Sequence, residues 1–224
     1  MKISAIIFDL DGTLMDTLQD LCISTNYALE KFGFPQHRIE AVRSFVGNGV
    51  RVLMERALPH GASNPLFEDV FCAFKEHYVA HCRDHSGLYP GVADMLDSLC
   101  ASGYQLAVVS NKLQAGVTEL QASYFSSWIR IAVGERPDLH RKPAPDMVLQ
   151  AVRELGCPLD EVVYIGDSDV DIETAKNCGI PCISVLWGFR DRSFLKTCGA
   201  SYMAEAPQDV VRLIQQGLAD CLPD

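Results

Sequence analysis

Three places in the chain gather groups that could do chemistry. Asp9 and Asp11 stand two residues apart and run into Gly12 and Thr13; Ser110, Asn111 and Lys112 are consecutive; Gly166 is followed by Asp167, Ser168, Asp169 and Asp171. Each set follows a short apolar run, at 5–8, 105–109 and 162–165. In open α/β sheets, ligands bind in the crevice beyond the carboxyl ends of the strands. Carboxylates converging there repel one another, and their ionised forms are tolerated when a cation compensates. All-oxygen donors select a hard cation. Magnesium suits best, because it takes one or two carboxylates and fills its remaining positions with water and phosphate oxygens. Ser110 and the backbone N–H groups around Gly12 and Asn111, with Thr13 beside them, could then hold the oxygens of a phosphoryl group.

The elements that would position these groups are legible as an alternation. Continuous apolar runs at 5–8, 105–109, 129–133, 162–165 and 182–186 suit strands buried on both faces. Helical spacing fills the intervals at 93–101, 114–123, 145–155, 169–177 and 208–218. The pattern predicts an α/β fold with a doubly wound, Rossmann-like parallel sheet. One connection breaks the rhythm: residues 9–104 separate the first strand from the second, far more than the ~10–15 residues of one crossover helix. Leu18 to Phe32, Val42 to Leu58 and Leu66 to His81 each show helical spacing, so an all-helical domain is expected at 16–85. It would be inserted into a core formed by 1–15 and 86–224.

Composition bounds the partners. The 224 residues are 48% hydrophobic and 21% charged, with 19 Lys and Arg against 29 Asp and Glu for a net charge of −10. An acidic chain without basic runs is not expected to bind nucleic acid. The longest uncharged stretch, 177–189, contains two glycines and a proline and falls short of the ~20 apolar residues of a membrane span. The opening MKISAIIFDLDG has too short an apolar run for a signal peptide, which predicts a cytoplasmic location. Nine scattered cysteines without a CxxC pair read as reduced, buried thiols, and Cys178 and Cys182 alone lack the further ligands of a zinc site.

With those residues in view, the chain resembles the haloacid dehalogenase superfamily phosphatases. DLDGTL at 9–14, SNK at 110–112, RKPAPD at 141–146 and GDSDVD at 166–171 match its four motifs in order and spacing, and the inserted helical domain matches its cap. VGNGV at 46–50 and LYPGV at 88–92 make the phosphoglycolate phosphatase group the nearest resemblance. The resemblance implies Asp9 as the nucleophile that forms an aspartyl phosphate, and Asp11 as the acid and then the base. It implies Ser110 and Lys142 as stabilisers of the transferring phosphoryl. Asp9, Asp11 (through its carbonyl), Asp167 and Asp171 would form the magnesium site, Asp171 at a remove. Asp169 falls at a variable position of the motif. Asn48 and Arg51 of the cap become candidates for the substrate's polar end, an arginine suiting a carboxylate. The expected substrate is a small phosphorylated metabolite, 2-phosphoglycolate first, with pyrophosphate, sugar phosphates and nucleotides behind it, and the expected assembly is a monomer or homodimer.

Plainer readings compete at several positions. Asp16 and Thr17 read as a helix cap, Lys112 as a solvated lysine, Gly47 and Gly49 as helix breakers. His77, His81 and His85 read as an exposed helix face rather than metal ligands. A phosphomutase shares the fold and the aspartyl phosphate, although Thr13 leans toward hydrolysis. A receiver-like phosphorylation switch is opposed by the large insertion and by Asp11, and an idle binding protein by the intact set Asp9, Asp11, Lys142 and Asp167.

Overall fold

The computed structural model describes residues 2–218. By its internal contacts the chain divides into two compact units, residues 2–14 with 88–218, and Met15–Gly87. The first is a three-layer α/β unit whose strands are β1 (Ala5–Phe8), β4 (Gln105–Leu113), β5 (Ile131–Glu135), β6 (Val162–Gly166), β7 (Cys182–Val185) and β8 (Tyr202–Ala204). Two short strands, β2 (Met15–Asp16) and β3 (Gly87–Leu88), pair apart from them. The large sheet runs β5-β4-β1-β6-β7-β8, and all its pairs are parallel. In this order the direction of winding reverses beside β1, so β1 and β6 flank the topological switch point where such sheets open a crevice.

The sheet is continuous apolar sequence because both faces are covered. Ala5, Ile7, Ala107, Val109, Val162 and Tyr164 face a layer that includes Met147, Val148 and Ala151 of helix α7 (Asp146–Leu155) and Ala175 and Cys178 of α8 (Asp169–Cys178). Ile6 and Phe8, equally buried, point the other way by strand alternation. Helices α5 (Val92–Ala101) and α10 (Pro207–Gln216) pack on each other, burying Leu96 and Leu99 from one and Val210 and Ile214 from the other. Helix α6 (Gln114–Leu120), continued by a wider turn over Gln121–Phe125, leads from β4 toward β5, and α9 (Arg192–Thr197) precedes β8.

The second unit is helical: α1 (Leu18–Lys31), α2 (Ile39–Phe45), α3 (Gly49–Ala57) and α4 (Phe67–His81). Helix α1 buries Leu21, Thr25, Ala28 and Leu29 on one face and packs along α4, which buries Phe67, Val70, Phe74 and Tyr78. The helical stretch expected from Val42 to Leu58 is two helices, parted where Gly47 and Gly49 were read as breakers: the chain turns extended at Val46, and the two glycines take φ of 118° and 79°, a region closed to most side chains. His85 lies beyond the end of α4. The three histidines therefore do not line one helix: His77 meets Ser24 Oγ at 3.0 Å, His81 meets Asp84 at 2.8 Å, and His85 meets Asp20 at 2.9 Å.

Other expectations need revision at their edges. Strand β4 continues to Leu113 because pairing with β5 resumes at Leu113 and Glu135 after an irregularity, which draws Ser110 to Lys112 into the strand. Helix α9 and strand β8, each short and weakly patterned, were not anticipated. Thr17 caps α1 without a side-chain hydrogen bond, and the neighbouring Asp16 Oδ1 accepts from Leu18 N–H instead. The described cysteines are free thiols, but only Cys22, Cys82 and Cys178 are buried; Cys72 lies exposed on α4, and Cys221 falls outside the described residues. No helix among the described residues is long and apolar enough to cross a membrane.

The helical unit holds one buried carboxylate at its two chain ends. Asp20 accepts from His85 N–H and Ser86 N–H, from the Ser86 hydroxyl at 2.6 Å, and from His85 Nδ1. Burial opposes its charge, yet the Ser86 and His85 hydrogen bonds outweigh burial and lower its pKa. Asp20→Ala strands two backbone donors and should cost about 1–3 kcal/mol, read by urea unfolding. Because the folded pKa is depressed, the contribution is present above the ordinary carboxylate range and is lost as acid protonates Asp20. The gap between the variant and the parent should therefore close toward low pH.

Candidate active site at the carboxyl edge of the sheet

The chain leaves β1 at Phe8 with the ladder still intact, Asp9 N–H donating to the Ile165 carbonyl at 2.8 Å, so Asp9 is set beside the end of β6. There Gly166 closes the strand and α8 begins at once. Asp9, Asp167 and Asp171 bring carboxylate oxygens within 4.8 Å of one another.

Into this cluster reaches Lys142, 3% exposed. Its ammonium donates to Asp9 Oδ1 at 2.9 Å, to Asp171 Oδ1 at 2.8 Å and to the Tyr164 hydroxyl at 2.9 Å, which uses all three of its N–H donors. The Asn111 side chain fixes Lys142 from behind: its Oδ1 accepts from Lys142 N–H at 2.9 Å and its Nδ2 donates to the Lys142 carbonyl at 3.1 Å. Of the residues predicted to meet substrate, Asn111 thus spends its amide on the lysine backbone, and Thr13 spends its hydroxyl on Asp167 Oδ1 at 3.2 Å.

The three carboxylates differ in what remains open on them. Asp171, fully buried, is saturated: Oδ1 takes Lys142 and Tyr164, and Oδ2 takes Asp167 N–H, Ser168 N–H and the Ser168 hydroxyl. It therefore caps α8 and anchors Lys142. Asp9 Oδ1 accepts from Leu10 N–H at 2.7 Å as well as from Lys142, while its Oδ2 has no hydrogen-bond partner among the described residues. Ser110, 2% exposed, accepts at Oγ from Lys112 N–H at 3.2 Å and leaves its own hydroxyl proton to donate.

Asp11 stands apart from this group and pairs with Lys112, whose Nζ lies 2.9 and 3.3 Å from its two oxygens. Lys112 was expected in solvent and is instead buried, 6% exposed, because β4 carries it into the site. Gly12 is required twice over. Its φ is 91°, and a Cβ there would lie 2.5 Å from Asp167 Oδ2. Asp169 turns outward, 3.7 Å from Arg190. In the helical unit, Asn48 precedes α3, and Arg51 pairs with Glu68 and Glu55 while its guanidinium lies 4.8 Å from the Phe67 ring centre.

Three carboxylates facing one ammonium leave an excess of negative charge in a buried space. Burial, and then repulsion from Asp171, push Asp9 up to about 7 against the pull of Lys142. Burial, Asp171 and Asp9 push Asp167 well above the ordinary range. Burial works against the Lys142 charge, but Asp171 and Asp9 overcome it and hold the lysine protonated. A divalent cation would cancel the excess, and the neighbouring Asp9 and Asp167 carboxylates are a donor set that fits one. Two features near the site had no motif to announce them: Tyr164, inside β6, and the turn after β7, whose Phe189 N–H donates to Asp167 Oδ2 at 2.7 Å. Gly188, three residues past the end of β7, was the available signal for the turn.

The chain is similar to known proteins over most of its length. Residues 6–185 match the model of the haloacid dehalogenase-like hydrolase family. A phosphoglycolate phosphatase of Aquifex aeolicus is 30% identical over 96% of this chain and 98% of its own. A solved structure from Lactobacillus delbrueckii subsp. bulgaricus is 36% identical over 96% of this chain and 99% of that one, with a TM-score of 0.92. The structure of CbbY from Rhodobacter sphaeroides in complex with phosphate is 26% identical over 93% and 96%, with a TM-score of 0.75.

The raised Asp9 value carries a sign that can be tested. Between the ordinary carboxylate value of 3.8 and about 7, the folded cation-free protein keeps a proton that the unfolded chain has released, so it loses stability as pH rises through that window. A divalent cation competes with that proton. Its addition should raise the melting temperature more above that window than within it, and equal shifts on both sides would contradict the assignment.

Proposed function

This chain belongs to the haloacid dehalogenase-like hydrolase family, and on that premise we propose that it hydrolyses a small phosphomonoester through an aspartyl phosphate on Asp9, with 2-phosphoglycolate as the substrate. The observation that carries the proposal is the asymmetry of Asp9. One oxygen is fixed by Leu10 N–H and the Lys142 ammonium, the other is unpartnered and available to attack phosphorus. The substrate is supported by relatives of this length that are named phosphoglycolate phosphatases.

In the first half of the reaction, an Asp9 oxygen forms the bond to phosphorus as the bond to the leaving oxygen breaks, and Asp11 gives that oxygen its proton. In the second half, the Asp11 carboxylate takes a proton from water as the water oxygen attacks phosphorus and frees Asp9 and inorganic phosphate. Lys112 Nζ, 2.9 Å from Asp11 Oδ1, holds that carboxylate in place beside the site. The Ser110 hydroxyl donates to a phosphoryl oxygen, and Lys142 sets a fixed positive charge beside the reacting oxygen of Asp9. Such preorganised groups need little rearrangement as charge develops. Magnesium, held by the Asp9 and Asp167 carboxylates and the Asp11 carbonyl, would neutralise charge shared between nucleophile and phosphoryl. Asp171 serves that set at one remove by holding Lys142 and the Asp167 backbone.

Phosphate release from 2-phosphoglycolate, pyrophosphate, hexose phosphates and nucleotides tests the reading. Turnover should require magnesium, favour 2-phosphoglycolate and vanish in Asp9→Asn. Lys142→Ala should lower kcat by roughly 10²–10³, the scale of a lost transition-state donor. Equal turnover in Asp9→Asn would rule out the covalent route, and a preference for another member of the panel would replace the substrate.

A further inference from the structure

The four motif regions do not account for Trp187, Gly188 and Phe189, the turn by which the chain leaves β7. We infer that this turn is a clamp that positions the Asp167 carboxylate against the β1 loop for the divalent cation, an inference that rests on the cation reading of Asp9 and Asp167 above.

Three separate contacts converge on that role. Phe189 N–H donates to Asp167 Oδ2 at 2.7 Å while the Thr13 hydroxyl donates to Oδ1 at 3.2 Å, so each carboxylate oxygen has one fixed donor and the group cannot swing about its last bond without losing one of them. Each oxygen keeps further lone-pair capacity for a cation. Gly188 then sets the distance. A Cβ at this position would fall 2.3 Å from Asp167 Cβ and 2.4 Å from the Gly12 carbonyl oxygen, closer than real contacts allow. With Gly12 pressing on the carboxylate itself, Asp167 is held between two glycines on two different loops. Lastly, the Trp187 indole N–H donates to the Thr13 carbonyl at 2.9 Å, tying the turn to the loop that carries Asp9 and Asp11.

The consequence concerns the cation. Groups that orient metal ligands from outside the coordination sphere commonly account for 10–100-fold in affinity. A turn that only packed the end of β7 would change stability when altered and leave cation affinity untouched. Trp187, Gly188 and Phe189 are accordingly positioning residues, acting through Asp167.

Calorimetric titration of the full chain with magnesium alone, without substrate, tests the clamp in four proteins. The parent should bind; Asp167→Asn should lose binding. Gly188→Ala should weaken it about 10–100-fold, and Trp187→Phe, which keeps the ring and removes one neutral donor, roughly fivefold. In both clamp variants, saturating magnesium should restore most of the turnover. Unchanged magnesium affinity in Gly188→Ala and Trp187→Phe, with binding lost in Asp167→Asn, overturns the clamp and leaves the cation site standing. Should Gly188→Ala fail to fold, Trp187→Phe decides alone, and parent-like affinity there overturns the clamp. Parent-like binding in Asp167→Asn removes the cation site itself, and the clamp falls with it.

Discussion

Three carboxylates gathered about one ammonium set the terms for everything else in the α/β unit. Asp9 and Asp171 share Lys142 as their close cation, and Asp167 stands within 4.8 Å of both, in a space from which water is largely excluded. Such an arrangement opposes folding unless each charge is answered by hydrogen bonds or by a bound ion. The protein answers it unevenly. Asp171 receives every donor it can use, Asp167 is held on both oxygens, and Asp9 keeps one oxygen open. The unanswered charge is thus concentrated on the atom proposed to react. The strain of the cluster and its chemistry share one origin.

This crowding explains the local architecture. Carboxylates can approach so closely only where backbones do, and β1 and β6 are hydrogen-bonded neighbours at the switch point of the sheet. Beyond their ends, side chains would intervene, so glycine stands where loops touch: Gly12 against the Asp167 carboxylate, Gly188 against its Cβ, Gly166 against Asp171. Lys142 arrives from the loop ahead of α7 and would be mobile if only its ammonium were held. The Asn111 side chain, bonded to both its N–H and its carbonyl, makes the backbone of that loop part of the sheet edge.

The extent to which this was legible in sequence follows the range of the interactions. Strands β1, β6 and β7 are continuous apolar runs covered on both faces, and periodicity found them. The carboxylates at their ends were found because the crevice of a parallel sheet is a general feature of such folds. Helix α9 and strand β8 are too short to show a period, whereas the break between α2 and α3 was announced by Gly47 and Gly49. Lys112 was misjudged because its burial depends on β4 running past Val109, which is set by pairing with β5. The Trp187 contact spans 174 residues, and a donor whose acceptor is a backbone carbonyl leaves no mark in local sequence.

Asp9 and Asp11 show how the same residue type acquires different surroundings two positions apart. Asp9 continues the line of β1 into the cluster, where burial and Asp171 resist its charge and Lys142 only partly relieves it. Asp11 lies past the end of the strand, half-buried, and meets Lys112 as a single partner. A lysine on each carboxylate, both delivered from the β4 and β5 side of β1, keeps the two acids from competing for one cation. Separate partners suit the roles proposed above for the two acids, since a nucleophile must stay ionised and fixed while a proton carrier exchanges a proton. The spacing of two residues supplies the proximity, and the lysines brought by distant segments make the difference in surroundings.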